Sequence, residues 1–434
     1  MEKLVFIYTY GCQMNVHDSE KIRGVLSEKG YKTAETPEEA DLIVFNTCAI
    51  RAKAEQKFYS QLGRIKFLKQ ANKDLKIAVA GCAAQDAKQK IFRRAPYVDY
   101  VIGPRNIQSL PELLLDSRGL FVTENPEIAE QEFPAQRDSA TKAWITIMYG
   151  CNNFCTYCIV PYTRGREVSR PSNSILAEIG QLVNKGYREV TLLGQNVNSY
   201  RSDTDFPGLL RLIDRSGIHR VRFVTSHPRD LSADLIKALS DLPSLCEHIH
   251  LPLQSGSDKI LSAMNRRYTY ADYLARVTGL RNSVPGISIT TDVIVGFPGE
   301  TEEDYELTVR ALQEIEFDGL FAFKYSRRNG TRAGELDDQL SEEQKNDRLN
   351  RLLPLQEEIT LRKNRLLEGL VLEVMVEGPS DSDPSRLTGR TRSNKIVTIP
   401  DSGEEEGALV RVEIRLARPH SLEGVRADLV PAPV

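Results

Sequence analysis

The sequence has no long hydrophobic run. None of its apolar stretches approaches the ~20 uninterrupted residues that a membrane-spanning helix requires. Its first residues, Met1-Glu2-Lys3, lead directly into a strand-like segment instead of a signal peptide. We therefore expect a protein without a membrane partner, located in the reducing interior of the cytoplasm.

The sequence also has little net charge and few cysteines. Its formal net charge of -3 provides no overall basic field, so a nucleic-acid partner would have to be held by a local patch. Seven cysteines in 434 residues are few, and six of them follow strand-like segments, which favours metal ligation over disulfides. We interpret the seventh, Cys246, as a core residue. The length predicts two or three domains.

Three cysteines lie within eight residues, in the spacing Cys-x-x-x-Cys-x-x-Cys: Cys151, Cys155 and Cys158. They follow an apolar, strand-like run. A cubane iron-sulfur cluster normally has four cysteine ligands, so three leave one iron open for a ligand that is not protein. The alternative, a zinc knuckle, needs a fourth Cys or His nearby, and the nearest histidines, His17 and His219, are remote in sequence.

Residues 1–118 alternate apolar strands with amphipathic helices, which predicts a doubly wound parallel sheet. The first three clearly apolar strands of this sheet are each followed by a cysteine: Cys12, Cys48 and Cys82, at separations of 36 and 34 residues. Because the carboxyl ends of parallel strands lie at one edge of the sheet, we expect these cysteines to share a second metal cluster. Gly11 and Gly81 directly precede two of them. The alternative for each cysteine alone is an inert buried residue.

The rest of the chain divides into a linker and two further domains. Residues 119–140 show little periodicity, which favours a linker, with an irregular edge of a neighbouring domain as the alternative. Residues 141–365 contain six strand-like runs separated by helices, too few for a closed eight-stranded barrel. Residues 366–432 show short alternating strands, which are typical of a small β-barrel.

Polar or glycine-bearing turns follow several strands of residues 141–365. They include Gln195, Asn196, Ser226, Gln254 and Ser255. A solvated loop is the simplest interpretation of any one of them. Their recurrence after successive strands favours a common binding site at the top of the barrel.

The cysteine motif, with the aromatic Tyr157 just before its third cysteine, resembles the signature of the radical S-adenosylmethionine superfamily. The last segment resembles the RNA-binding TRAM domain. Together with the two three-cysteine sets, these features resemble the radical S-adenosylmethionine methylthiotransferase family over nearly the whole chain. Within that family, Gly11-Cys12-Gln13-Met14-Asn15 is most similar to the branch that acts on isopentenylated adenosine in tRNA. The resemblance implies an α/β protein with a doubly wound N-terminal sheet, a partial (β/α)6 barrel and a TRAM-like β-barrel.

The resemblance also implies the cofactors, two [4Fe-4S] clusters and S-adenosylmethionine. The cluster of Cys151, Cys155 and Cys158 would bind S-adenosylmethionine and cleave it to a radical. The cluster of Cys12, Cys48 and Cys82 would carry sulfide or polysulfide, accept a methyl group and deliver methylthio to the substrate, so that all six cysteines are catalytic. The residues expected to line the cofactor are Tyr157, Gln195, Asn196, Ser226, Gln254 and Ser255.

The implied reaction converts N6-isopentenyladenosine next to the anticodon of tRNA, at position 37, to its 2-methylthio derivative. The C2–H bond of adenine is not acidic enough for a side-chain base, so a radical generated by a cofactor is needed. The base must leave its stack, which is easiest in an anticodon loop. The implied partners are the tRNA anticodon stem-loop and an external electron donor such as flavodoxin or ferredoxin, and we expect a monomer.

The resemblance to TRAM favours an RNA-backbone contact for the basic residues Arg390, Arg392 and Lys395, with a plain surface hairpin as the alternative. Two other functions remain open. One is a methylthiotransferase that acts on a ribosomal protein or on threonylcarbamoyl-adenosine in tRNA. The other is a non-enzymatic iron-sulfur sensor that binds RNA, although a sensor does not need polar turns after so many barrel strands.

Overall fold

The first unit of the protein is a six-stranded parallel sheet. The protein is seen in a computed structural model that describes residues 3–49, 52–114, 118–123, 125–129 and 134–429. The sheet has the order β2-β1-β3-β4-β5-β6. Its strands are β1 Lys3–Thr9, β2 Tyr31–Thr33, β3 Leu42–Thr47, β4 Lys76–Gly81, β5 Tyr100–Ile102 and β6 Gly119–Phe121.

Helices cover both faces of this sheet, as the prediction of a doubly wound sheet requires. They are α1 Gln13–Ser27, α2 Ala52–Ala71, α3 Cys82–Ala87, α4 Gln89–Arg94 and α5 Leu110–Leu113. Strand β3 is buried along its whole length, because its successive side chains point to opposite faces of the sheet and helices cover both faces. Phe45 packs against Phe58 of α2, whereas Val44 belongs to the core formed with Ile22 of α1.

The segment predicted as a linker, residues 119–140, begins inside this sheet. Strand β6 pairs in parallel with β5, and the backbone N–H of Gln136 donates to the carbonyl of Glu20 at 3.0 Å. Part of the segment is therefore an edge of the first unit. The three residues of β6 are too few to give a periodic pattern in the sequence.

The second unit contains six parallel strands in two sheets, β7-β10-β11 and β12-β13-β14. Residues next to β12 connect the two sheets: the N–H of Val221 donates to the Ser244 carbonyl at 2.8 Å, and the N–H of Cys246 donates to the Val221 carbonyl at 3.0 Å. The result is the predicted partial barrel. Its strands are β7 Lys142–Thr146, β10 Glu189–Leu193, β11 Arg220–Phe223, β12 His248–His250, β13 Ser288–Val295 and β14 Gly319–Lys324, with a small β8 Met148–Tyr149 and β9 Val168–Ser169 hairpin at one end.

Helices pack on the outer, convex face of the partial barrel. They are α7 Ser172–Asn184, α8 Phe206–Asp214, α9 Ala233–Asp241, α10 Asp258–Ala263, α11 Tyr270–Ser283, α12 Glu302–Ile315 and α13 Glu342–Arg365. The short helix α6 Val160–Thr163 follows the cysteine loop and contacts α3 of the first unit. Ile289 and Val293 of β13 belong to the core that the strands share with these helices. Since side chains alternate along a strand, Thr290, Asp292 and Ile294 face the inside of the barrel.

The third unit is a closed five-stranded barrel with the order β15-β16-β17-β19-β18. Its strands are β15 Val371–Pro379, β16 Arg386–Thr391, β17 Ile396–Pro400, β18 Leu409–Ala417 and β19 Leu422–Arg426. This confirms the predicted small β-barrel. Within the described part of the chain, every helix is too short or too polar to cross a membrane.

Candidate functional site

The first cysteine site lies at one edge of the N-terminal sheet. Cys12 caps α1 after β1, Cys48 follows β3, and Cys82 opens α3 directly after β4. A hydrogen bond from Cys48 lowers the pKa of Cys12 to about 5. The parallel strands thus place these cysteines at neighbouring carboxyl ends of the sheet.

Two glycines permit this close approach. A Cβ atom at Gly11 would lie 2.7 Å from the Cβ of Cys48, and one at Gly81 would lie 2.6 Å from the Thr47 carbonyl oxygen. Gly81 also has a φ of +92°, which residues other than glycine rarely adopt. The turns that carry the cysteines therefore depend on glycine.

A buried arginine from the second unit reaches into this first site. The Arg164 Nε–H donates to the Cys82 sulfur at 3.1 Å, and its Nη2 lies 2.7 Å from the Asp18 carboxylate. Burial raises the pKa of Cys82, and the positive charge of Arg164 opposes that shift. Arg164 is 5% exposed, so its charge acts on the sulfur with little solvent screening.

The second cysteine site follows β8 and contains Cys151, Cys155 and Cys158. Burial raises the pKa of Cys151 to about 11 and that of Cys158 to about 12. A second buried arginine, Arg266, donates from Nη1 to the Cys155 sulfur and to the Tyr157 hydroxyl, both at 3.4 Å. This site repeats the arrangement of the first, three cysteines with one buried guanidinium.

The two cysteine sites are neighbours. Ile159, the residue after Cys158, packs in one apolar cluster with Ala49 and Cys82. The guanidinium of Arg105 in the first unit donates to the Arg164 carbonyl at 2.8 Å. The contact between the first two units therefore holds the sites side by side.

Buried polar atoms at the strand ends fit a polar ligand beside the second site. These atoms are Gln195 Nε2, Asn196 Oδ1, Ser226 Oγ, His227 Nε2 and Gln254 Oε1, and within the described residues they have no hydrogen-bond partner. Buried polar atoms in proteins are nearly always hydrogen-bonded, so the set indicates that a ligand completes it. The amino, carboxylate and hydroxyl groups of S-adenosylmethionine match such donors and acceptors.

The other two predicted cofactor residues are occupied within the chain. Ser255 is fully buried, and its hydroxyl lies 3.3 Å from that of Thr308. Tyr157 packs against an apolar cluster that includes Ile260 and Phe297. Both side chains therefore support the strand-end loops from within the fold.

The residues predicted to contact RNA, Arg390, Arg392 and Lys395, each form an ion pair within the protein. Arg390 is paired with Glu377 at 3.3 Å, Arg392 with Glu247 at 2.8 Å and Lys395 with Asp318 at 3.3 Å. Two of these acids belong to the second unit, so the cations join the small barrel to the partial barrel. Each of the three cations thus has an acidic partner within the protein, and their contact with RNA stays a prediction.

Sequence reasoning did not find the two arginines at the cysteine sites. Arg164 lies six residues after Cys158, and this proximity was the only available signal. Arg266 lies 111 positions from Cys155, so only the folded chain reveals their contact. Burial and the nearby Arg266 lower the pKa of His227 to about 2, so its imidazole stays neutral.

Comparisons with known proteins agree with this geometry. Residues 4–103 match the Uncharacterized protein family UPF0004, residues 145–312 match the Radical SAM superfamily and residues 365–425 match the TRAM domain. The solved structure of the radical S-adenosylmethionine methyltransferase TsrM from Kitasatospora setae is similar in fold, with a TM-score of 0.59 at 15% identity, over 77% of this chain and 75% of that one. The fold and the cysteine loop define a radical S-adenosylmethionine protein, for which that superfamily implies a [4Fe-4S] cluster and S-adenosylmethionine.

Much higher sequence identity exists with curated relatives. The tRNA-2-methylthio-N(6)-dimethylallyladenosine synthase of Thermodesulfovibrio yellowstonii is 53% identical over 97% of this chain and 98% of its own length. The synthase of the same name from Clostridium perfringens is 48% identical over 98% of this chain and 97% of its own length. The chain belongs to the tRNA-2-methylthio-N(6)-dimethylallyladenosine synthase family.

Proposed function

We propose that this enzyme converts N6-isopentenyladenosine next to the anticodon of tRNA, at position 37, to its 2-methylthio derivative. The single observation that carries the proposal is the pair of adjoining three-cysteine sites, each with a buried arginine at one sulfur. One site alone would suit radical generation. Two adjoining sites suit a reaction that needs both a radical and a source of sulfur.

Two sets of three cysteines and the unpartnered polar atoms beside the second set support two [4Fe-4S] clusters with S-adenosylmethionine. Cys151, Cys155 and Cys158 would hold one cluster, and Cys12, Cys48 and Cys82 would hold the other, with sulfide or polysulfide. When bound, these groups supply the radical, the methyl group and the sulfur. Each product would consume two S-adenosylmethionine molecules, because one supplies the methyl group and the other supplies the radical.

The protein's own residues bind and orient the cofactors and exclude water from them. The arginines stabilise negative charge on cysteine sulfur, because each donates an N–H group from a buried guanidinium. The unpartnered atoms of Gln195, Asn196 and Gln254 would bind the polar groups of the cofactor. The neutral His227 accepts the backbone N–H of Arg229 at Nδ1, at 3.2 Å, and its buried Nε2 has no partner among the described residues.

The partners in this proposal follow from the family. The tRNA anticodon stem-loop is the substrate, and the TRAM barrel belongs to the surface that receives it. Flavodoxin or ferredoxin would be the electron donor, and we place a monomeric enzyme in the cytoplasm with the tRNA pool. We assign tRNA contact to the barrel as a unit, because Arg390, Arg392 and Lys395 are already ion-paired.

The experiment that tests the function is an anaerobic reaction with the reconstituted protein. The substrate would be an anticodon stem-loop carrying isopentenyladenosine, with S-adenosylmethionine, sulfide and a reductant, and mass spectrometry of the nucleosides would detect the product. We expect the 2-methylthio nucleoside from the full protein, and none from the Cys151→Ala or the Cys48→Ala variant. Tight RNA binding without any product would favour the iron-sulfur sensor instead. A product only on a ribosomal protein or on threonylcarbamoyl-adenosine would move the chain to a related specificity.

A further inference from the structure

Two exposed phenylalanines lie on the inner, concave face of the partial barrel. Phe321 and Phe323 are alternate residues of β14, so they share one face, and their partners across the sheet are Asp292 and Ile294 of β13. Lys324, on the opposite face, pairs with Glu342 of α13 on the outside at 2.9 Å. Both phenylalanines therefore point into the barrel.

These side chains form an apolar surface that the fold does not cover. Phe321 is 57% exposed and Phe323 is 44% exposed, whereas Ile289 and Val293 on the outer face of β13 are fully buried. Neighbouring exposed aromatic residues on a concave face indicate a ligand-binding surface, because the protein forgoes the stability that burying them would give.

Polar groups adjoin this apolar surface. The ring of His250 lies 5.9 Å from that of Phe321, and its Nε2 lies 3.4 Å from the Asp292 carboxylate. The other ring nitrogen of His250, Nδ1, lies 3.0 Å from the hydroxyl oxygen of Thr290. Asp292 thus presents a hydrogen-bond acceptor beside the phenylalanines.

The inner face continues to the second cysteine site. Ile294 and Tyr157 pack against the same apolar cluster, and Tyr157 lies directly before Cys158. At the other end of β14, Lys395 of the third unit pairs with Asp318 at 3.3 Å. A ligand on this face would therefore lie between the small barrel and the cysteine loop.

We propose that Phe321, Phe323 and Ile294 bind the dimethylallyl chain of the substrate adenosine, and that Asp292 accepts the N6–H of its base. The inference rests on the proposed function and names its specificity residues. The dimethylallyl chain is branched and apolar, and it is attached at N6, so an apolar surface beside one acceptor matches it. This placement puts the base next to the cysteine loop.

The test compares two synthetic anticodon stem-loops that differ only in the dimethylallyl group. The dissociation constant of each is measured with the reconstituted full chain, unaltered and as the double variant Phe321→Ala/Phe323→Ala. We expect the unaltered protein to prefer the prenylated RNA, and the double variant to lose about ten-fold or more of that preference, as is typical when apolar contacts to a few carbons are removed. Affinity for the unprenylated RNA should stay the same.

Three further variants complete the design. Phe67→Ala removes a 73% exposed phenylalanine from α2 of the first unit, and it should change neither dissociation constant. Phe321→Leu/Phe323→Leu keeps apolar side chains and should retain most of the preference, which separates lost contacts from misfolding. Asp292→Ala should weaken the binding of both RNAs alike, by about three- to ten-fold, because both carry an N6–H.

The outcomes separate the two proposals. If the unaltered protein prefers prenylated RNA and the double alanine variant keeps that preference within two-fold, the assignment of the phenylalanines is overturned while the proposed function stands. If the unaltered protein neither prefers the prenylated RNA nor methylthiolates it, the proposed function itself fails, and this assignment fails with it.

Discussion

A buried arginine donates an N–H group to a cysteine sulfur at each of the two sites. Arg164 reaches Cys82 at 3.1 Å, and Arg266 reaches Cys155 at 3.4 Å. Hydrogen bonds and positive charge stabilise the reduced, more negative form of a sulfur-ligated cluster, so each arginine would raise the reduction potential of a cluster held at its own site. Two such clusters would then have separately set potentials.

The potential at the first site should fall when its arginine is removed. We would change Arg164→Gln together with Asp18→Asn, because the arginine alone would leave a buried carboxylate unpaired. One charged hydrogen bond corresponds to a shift on the order of 50 mV for a one-electron couple. A redox titration followed by electron paramagnetic resonance should show this fall for the first site alone. Arg415→Gln, at an exposed ion pair, is the control; equal potentials in both variants would contradict the assignment.

His248 gives the protein a sensitivity to acid. Burial and the nearby Arg222 hold its pKa well below the ordinary value, so the folded protein keeps it neutral where the unfolded chain is protonated. Stability from this residue is present above about pH 6.5 and is lost as the pH falls, by up to about 1.4 kcal/mol per pH unit. The variant His248→Gln should show a smaller loss of stability between pH 7 and pH 5 in urea unfolding. An unchanged loss would mean that other groups dominate.

At the scale of elements, the turns that carry the cysteines depend on backbone shape. Gly81→Ala places a Cβ atom 2.6 Å from the Thr47 carbonyl and strains a φ of +92°. Gly30 offers a matched control, since it has a φ of +82° with no atom within 4 Å of its would-be Cβ. We expect Gly81→Ala to lower the iron bound per chain by about half, while Gly30→Ala keeps full loading. Iron analysis after anaerobic reconstitution checks this, and equal iron loading of the two variants would show that the clash at Gly81 does not affect cluster binding.

The sequence predicted the elements better than their mutual contacts. Strand β3 was visible because it is buried on both faces and reads as one apolar run, and the spacing of the cysteines followed from one strand and one helix per repeat. Contacts between distant residues left no local pattern, as with Arg266 and Cys155. The short β6 was likewise invisible, because three residues provide no periodicity.

At the scale of the whole molecule, arginines join the small barrel to the partial barrel. Arg222, a β11 residue, donates to the backbone carbonyls of Thr391 and Arg392, each at 2.8 Å. Arg392 in turn pairs with Glu247. The sequence shows the charge of the basic stretch but not the acids that face it. Arg392 and Lys395 pair with acids of the partial barrel and so help to hold the small barrel in one orientation, while the RNA contact of the stretch stays a prediction.

Removing Arg392 should therefore loosen the small barrel instead of only weakening a phosphate contact. Arg392→Ala removes the paired guanidinium from Glu247 and from the Leu245 carbonyl. Amide hydrogen exchange should accelerate in the turn between β16 and β17, whereas Arg415→Ala, at an exposed pair within the same barrel, should leave it unchanged. Because Glu247 already pairs with the lost cation, we expect the slope of log tRNA affinity against log salt to stay the same in Arg392→Ala. A slope shallower by about one unit with unchanged exchange would instead identify Arg392 as a phosphate contact, as its sequence context first indicated.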